Sequence, residues 1–202
     1  MASNPNQSCR AMLPIESTSL ESPIGKIAVA WRGPVVLGLE MPGTDERGEL
    51  GARDRPDDPA LRLETYIEKH HGAAPIPGSD AHAVPTAVAS YFDGNPRALE
   101  HFQVEPSGTA FQRRIWSVLR EIPCGETWTY GQVAERAGRR AAARATGGAI
   151  GANPCSLFIP CHRVVGAEGE LTGFGGGLDR KIWLLQHESA IAPRSHPPSP
   201  SS

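Results

Sequence analysis

The chain lacks any apolar run long enough to cross a membrane, so no membrane-spanning helix is expected. Its polar first residues, Met1 to Arg10, lack the apolar core of a signal peptide, and the expectation is a soluble, cytoplasmic protein with no membrane partner. Cysteine is scarce. Cys9, Cys124, Cys155 and Cys161 form no C-x-x-C pair and have neither ribbon nor finger spacing, so no metal site is expected and the thiols are read as free. No internal repeat is visible. A strong charge excess is missing too, and a net −2 argues at first against a nucleic-acid partner. The deficit is unevenly divided, however: residues 1–104 carry 9 Lys/Arg and 14 Asp/Glu, whereas residues 105–190 carry 10 and 8. Any DNA-facing surface belongs on the second part.

What is present has globular proportions. The 202 residues are 39% hydrophobic and 21% charged, while 19 prolines and 22 glycines imply several long loops. After a polar stretch over 1–13, read as disordered, the patterns from Leu20 to Trp31 and from Val35 to Glu40 predict strands joined by Gly/Pro turns. A helix is predicted from Pro59, with Leu63, Tyr66, Ile67 and His70 at helical spacing and Gly72 as its stop. Residues 73–85 read as a loop, Thr86 to Phe92 as a short helix and Ala98 to Val104 as a strand. Composition and charge both change at Pro106-Ser107-Gly108, which is taken as a domain boundary. Beyond it Thr109 can cap a helix with Phe111, Ile115, Val118 and Leu119 on one stripe. Two further helices, one opening at Thr129-Tyr130 and one over Arg139 to Ala152, joined at Gly138, read as a helix-turn-helix. The last helix, Leu178 to Glu188, has Ile182 and Leu185 on one side, and residues 190–202 read as a disordered Pro/Ser-rich tail.

The stretch that carries chemistry is Asn153 to Val165, N-P-C-S-L-F-I-P-C-H-R-V-V. Ser156 to Ile159 has the composition of a buried strand, which Pro160 must end. Cys161 then precedes a proton acceptor, His162, and a permanent cation, Arg163, surroundings that lower a thiol pKa. An activated cysteine nucleophile is the functional reading, although an inert buried cysteine would satisfy the same few residues.

The wider pattern is more specific. G-T-x-F-Q-x-x-x-W, I-P-C-G-E-T-W-T-Y-G-Q-V-A, R-A-T-G-G-A, P-C-H-R-V-V, G-F-G-G-G and W-L-L-x-H-E, spread over Gly108 to Glu188, resemble the catalytic domain of the O6-alkylguanine-DNA alkyltransferases. The first half resembles that family more loosely, through S-P-I-G and its strand order. The resemblance implies an α/β protein: a small N-terminal α/β domain, ribonuclease-H-like, over 14–105, and a mainly helical, winged-helix-like DNA-binding domain with the helix-turn-helix over 106–189. It implies repair of double-stranded DNA by a monomer, through irreversible transfer of an alkyl group from guanine O6 to Cys161, without a cofactor. O4-alkylthymine is a second candidate substrate.

By the same resemblance His162 is the base acting through water, Glu188 orients its imidazole, Tyr130 donates to the flipped guanine and Asn153 fixes the hinge before the nucleophile. The carbonyls of Cys161 and Val164 are expected to accept from the guanine amino group, and the backbone N–H of Gly175 to face O6. Arg144 matches the arginine that fills the gap left by the extruded base, and Thr129, Tyr130, Ala143, Gly147 and Arg163 complete the expected DNA surface. Phe174-Gly175 stands where some relatives have Tyr-Ser, which bears on loop order and size selectivity. Two other functions compete. A lesion sensor that binds alkylguanine without repairing it would lack Cys161, and a Cys-His hydrolase more often draws its histidine from a distant part of the sequence.

Overall fold

The computed structural model describes residues 13–43, 58–139 and 142–192, so most of both terminal segments and part of the predicted third helix of the second half lie outside the described residues. A mixed α/β fold results. Strands β1 (Glu16–Leu20), β2 (Ile27–Arg32) and β3 (Val35–Glu40) form an antiparallel meander, flanked by the short β4 (Ile76–Pro77) parallel to β1 and β5 (Gln103–Val104) parallel to β3. Both central strands are covered on two faces. Ala28, Ala30, Val35 and Leu37 pack with Leu63 and Ile67, while Ile27, Val29, Trp31, Val36 and Leu39 join the main core.

Helix α1 (Pro59–His71) has the expected bounds. The Asp58 side chain accepts from the Ala60 N–H, proline occupies the first turn, and Gly72 closes the helix in the left-handed region at φ 77°. Leu63 and Ile67 are its buried face, whereas His70 is exposed. It seats closely on β3, since a Cβ at Gly38 would lie 2.8 Å from Leu63 Cδ1.

Two local expectations are corrected. Helix α2 spans Val84–Phe92, two residues earlier than expected, because Pro85 fits the first turn of a helix, where no N–H donor is needed. The strand expected over Ala98 to Val104 is confined to β5; Ala98, Leu99 and Phe102 reach the core from turns closed by Ala98 N–H to Asn95 and Phe102 N–H to Leu99.

In the second half, α3 (Ala110–Leu119) starts at a reciprocal cap between Thr109 and Gln112. Its buried face is Ile115, Trp116, Val118 and Leu119, and Trp116 Nε1 donates to the Ala149 carbonyl at 2.8 Å. Helix α4 (Tyr130–Arg136) starts at a second such cap, Thr129 with Gln132, and α5 spans Ala143–Gly151. Gly138, at φ 75°, turns the chain after α4, and α3, α4 and α5 pack on one another. A two-stranded parallel pair, β6 (Trp128–Thr129) with β7 (Val164–Val165), and helix α6 (Leu178–His187) complete the described chain. The halves share one core, in which Trp31 and Val36 belong with Ile115, Val164 and Leu184. Across the expected boundary the Tyr66 hydroxyl accepts from the Ser107 N–H at 2.9 Å.

Candidate active site

Asn153 to Pro160 is a tight turn rather than the expected strand. Leu157 takes φ 72°, and the ladder contacts are isolated bridges, Ser156 with Ile159 and Cys155 with Leu39. Burial supplied the apolar composition of Leu157, Phe158 and Ile159, and burial does not require a strand. Asn153 holds the turn at both ends: its Oδ1 accepts from the Cys155 N–H at 3.0 Å, and its Nδ2 donates to the Ile159 carbonyl at 2.8 Å. Sheet strand β3 braces it from outside, through the Leu39 N–H to the Pro154 carbonyl at 2.8 Å.

The turn delivers Cys161 into a short 3-10 helix, Cys161–Arg163. The thiol is buried and lies against a cavity of about 160 Å³ whose wall includes Asn153, Ser156, Ile150, Phe174, Gly175 and, from the first half, Met41. Burial pushes the Cys161 thiol up; Asn153, Ser156 and the charge of Lys181 oppose it. Ser156 Oγ is 4.0 Å from the sulfur. The expected cation therefore needs correction: the charge that opposes burial at Cys161 is that of Lys181, not of Arg163.

Arg163 is spent elsewhere. Its Nε donates to Glu188 Oε2 at 2.7 Å, Nη2 to Glu188 Oε1 at 3.0 Å and Nη1 to the Ile122 carbonyl at 2.7 Å, with the side chain buried. It is not available to DNA phosphates, which corrects its place in the expected DNA surface: a guanidinium moved out of this pair would leave Glu188 buried without its charge partner. His162 is buried as well, and its Nε2 meets Glu188 Oε1 at 3.0 Å. The other ring nitrogen, Nδ1, has no hydrogen-bond partner among the described residues. Burial lowers His162 despite Glu188, so the ring is neutral near pH 7 with one nitrogen free. Burial alone would raise the Glu188 carboxyl, but hydrogen bonds and charge from its partners hold it at about 2. His162, through its hydrogen bond and its charge once protonated at low pH, and the permanent charge of Arg163 both hold it down.

Tyr130 opens α4 half-buried, its phenol raised by burial, and its hydroxyl donates to the Gly173 carbonyl at 3.4 Å. A Cβ at Gly147 of α5 would stand 3.9 Å from the Tyr130 ring, so Thr129, Tyr130 and the small-residue face of α5 come together. Ala143 opens α5 and Arg144 follows it, exposed. The Gly175 position has open space around it. Val164 is buried; its carbonyl accepts from Lys181 Nζ at 2.6 Å and its N–H donates to the Cys161 carbonyl. Each of the two carbonyls expected to read guanine thus already holds one protein donor, leaving one lone pair.

Three contributors escaped the sequence reading. Lys181 is buried in α6, donates to the Val164 and Thr172 carbonyls at 2.6 and 2.7 Å, and is brought by burial to about 8. Arg180 ties the loop around Gly176 to the first half, its Nη1 donating to the Gly176 and Pro42 carbonyls and its Nε to the Ile24 carbonyl. Tyr91, from α2, donates to Glu188 Oε1 at 2.8 Å. A signal existed for the first: Lys181, Leu184, Leu185 and Glu188 fall at i, i+3, i+4 and i+7 and are the buried stripe of the α6 segment, which keeps the expected Leu185 and leaves Ile182 half-buried. Among the described residues no cluster of His, Cys, Asp and Glu could hold a metal ion. The arrangement offers one reactive sulfur, a neutral imidazole with a free nitrogen and a fixed carboxylate behind it.

The model of the 6-O-methylguanine DNA methyltransferase DNA-binding domain matches residues 110–190. A methylated-DNA–protein-cysteine methyltransferase of Mycolicibacterium paratuberculosis is 41% identical over 183 residues, covering 90% of this chain and 96% of the relative. The crystal structure of Mycobacterium tuberculosis O6-methylguanine methyltransferase superposes with a TM-score of 0.64 at 35% identity, over 90% of this chain and 96% of that one. A structure of Mycobacterium tuberculosis OGT in complex with DNA gives 0.64 at 34%, over 89% and 96%.

Proposed function

Because the chain belongs to the O6-methylguanine-DNA methyltransferase family, we propose that it repairs DNA by direct reversal, moving the alkyl group of O6-alkylguanine in a duplex onto Cys161. The observation that carries this reading is the free Cys161 thiol at the cavity wall, one residue before the imidazole that Glu188 fixes. His162 Nδ1 takes the thiol proton through a water, the sulfur attacks the alkyl carbon, and the bond to O6 breaks with its electron pair staying on guanine. Tyr130, near Gly173 of the substrate loop, is placed to donate to the departing base and is finally replenished by the proton that left the thiol.

Thr129, Ala143, Arg144 and Gly147 meet the duplex, with Arg144 entering the stack where the base has left it. Ribonuclease-H-like and winged-helix-like descriptions fit the two halves, and the protein acts as a cytoplasmic monomer without a cofactor. A sensor that only binds the lesion has no use for the thiol. Intact-mass measurement after reaction with an O6-methylguanine duplex tests the reading: one permanent methyl on Cys161 per protein molecule is expected. Released product with an unchanged protein mass would overturn it. Arg144→Ala should slow repair of the duplex about 10-fold while leaving reaction with free O6-benzylguanine near wild type, since extrusion costs a few kcal/mol.

A further inference from the structure

Tyr91 belongs to α2 in the first half of the chain, yet its hydroxyl donates to Glu188 Oε1 at 2.8 Å with both side chains buried. The same oxygen also takes His162 Nε2 and Arg163 Nη2, each at 3.0 Å. A phenylalanine would fill the same core space, so packing alone does not account for a hydroxyl there. We infer that Tyr91 is a positioning residue for alkyl transfer, its O–H fixing the Glu188 carboxylate and, through it, the orientation and basicity of His162. The inference rests on the proposed transfer to Cys161.

A carboxylate that accepts an additional O–H has less charge to offer its other partners. Without the phenol, more of the Glu188 charge falls on the bond to His162 and the imidazolium is favoured. His162 faces Glu188, Arg163 and Lys181, and Glu188 faces Tyr91, Arg163, His162 and the Cys124 thiol. Loss of the phenol changes none of those other charges. A residue needed only for packing would lower the rate equally at every pH.

The test uses the full chain with Tyr91→Phe, reading single-turnover transfer from O6-benzylguanine between pH 4 and 9 and titrating His162 by NMR. The acidic limb of the rate profile and the His162 titration should move up together by up to about one pH unit. Replacing Tyr91 by 3-fluorotyrosine, a stronger donor of nearly the same shape, should move both downward, and it decides the matter if the phenylalanine variant fails to fold. Unmoved titration in a folded variant overturns the inference. A wild-type protein that never alkylates Cys161 would instead overturn the functional reading, and the NMR titration would still decide the role of the phenol.

Discussion

Cys155 lies within the turn and Cys161 just beyond it, and both are buried, yet their surroundings differ. Burial drives the Cys155 thiol up, beyond any useful range, and Glu40 pushes in the same direction with only Arg120 opposing. At Cys161 the same penalty is opposed by Asn153, Ser156 and Lys181. Burial is thus common to the inert thiol and the reactive one. The donors and the cation separate them, and the nucleophile is made by its neighbours' polarity rather than by its depth.

Cys161→Ser should bind DNA but transfer nothing, whereas Cys155→Ala should lose stability by about 1–2 kcal/mol and still transfer, as intact mass and thermal melts will show. Transfer by the serine variant would erase the distinction. Glu188→Gln should slow transfer about 100-fold, because His162 loses its orienting charge. The same change strands Arg163 in the interior, at a cost on the order of 3 kcal/mol. Because the folded Glu188 carboxyl lies at about 2, below its ordinary value, its contribution is present above pH 4.5 and lost as pH falls from there toward 2. Melts of the Gln variant should be flatter than wild type across that window.

Lys181→Met should make Cys161 resemble Cys155 more closely. Transfer near pH 7 should fall about 10-fold, and the rate should recover as pH rises, because the thiolate then forms without the ammonium. A rate that stays depressed at high pH would assign Lys181 to holding the Val164 and Thr172 carbonyls only. Reaction itself should have a smaller effect on the fold. A thioether removes a hydrogen-bonding sulfur and adds bulk beside Asn153, so the alkylated protein should melt lower by several degrees, at about 2–4 °C per kcal/mol. Ser156→Ala should change the rate least, by about 3-fold or less, since a contact of 4.0 Å is a weak one.

The features legible in the sequence were those decided locally. Pro59 and Gly72 bound α1, Thr109 caps α3, and α4 opens at Thr129-Tyr130. Pro-Cys-His-Arg is likewise a local pattern, and it points to Cys161 as the proposed nucleophile. Arg163 finds its partner at the end of a helix 25 residues later, whereas adjacency to Cys161 alone suggests a nearer use for its charge. A lysine on an apolar stripe, such as Lys181, has the local pattern of a surface residue, and only the carbonyls that receive it mark it as buried. Tyr91 had no local signal at all, since only the packing of α2 against the end of α6 brings a phenol to Glu188.

The bond from the Leu39 N–H to the Pro154 carbonyl has a consequence for synthesis. Strand β3 emerges from the ribosome early and the turn it braces comes late, so this closure spans most of the chain and belongs to the slow, non-local class of folding contacts. Lys181 and Glu188 also reach the sulfur's surroundings only after the last helix is made. An unfinished chain therefore exposes an ordinary thiol, with the reactivity of any free cysteine. A single-use nucleophile is spared premature consumption because its reactivity arrives with the final stage of folding, and pulse-labelling of ribosome-bound chains with O6-benzylguanine should find Cys161 unmodified until α6 has cleared the exit tunnel.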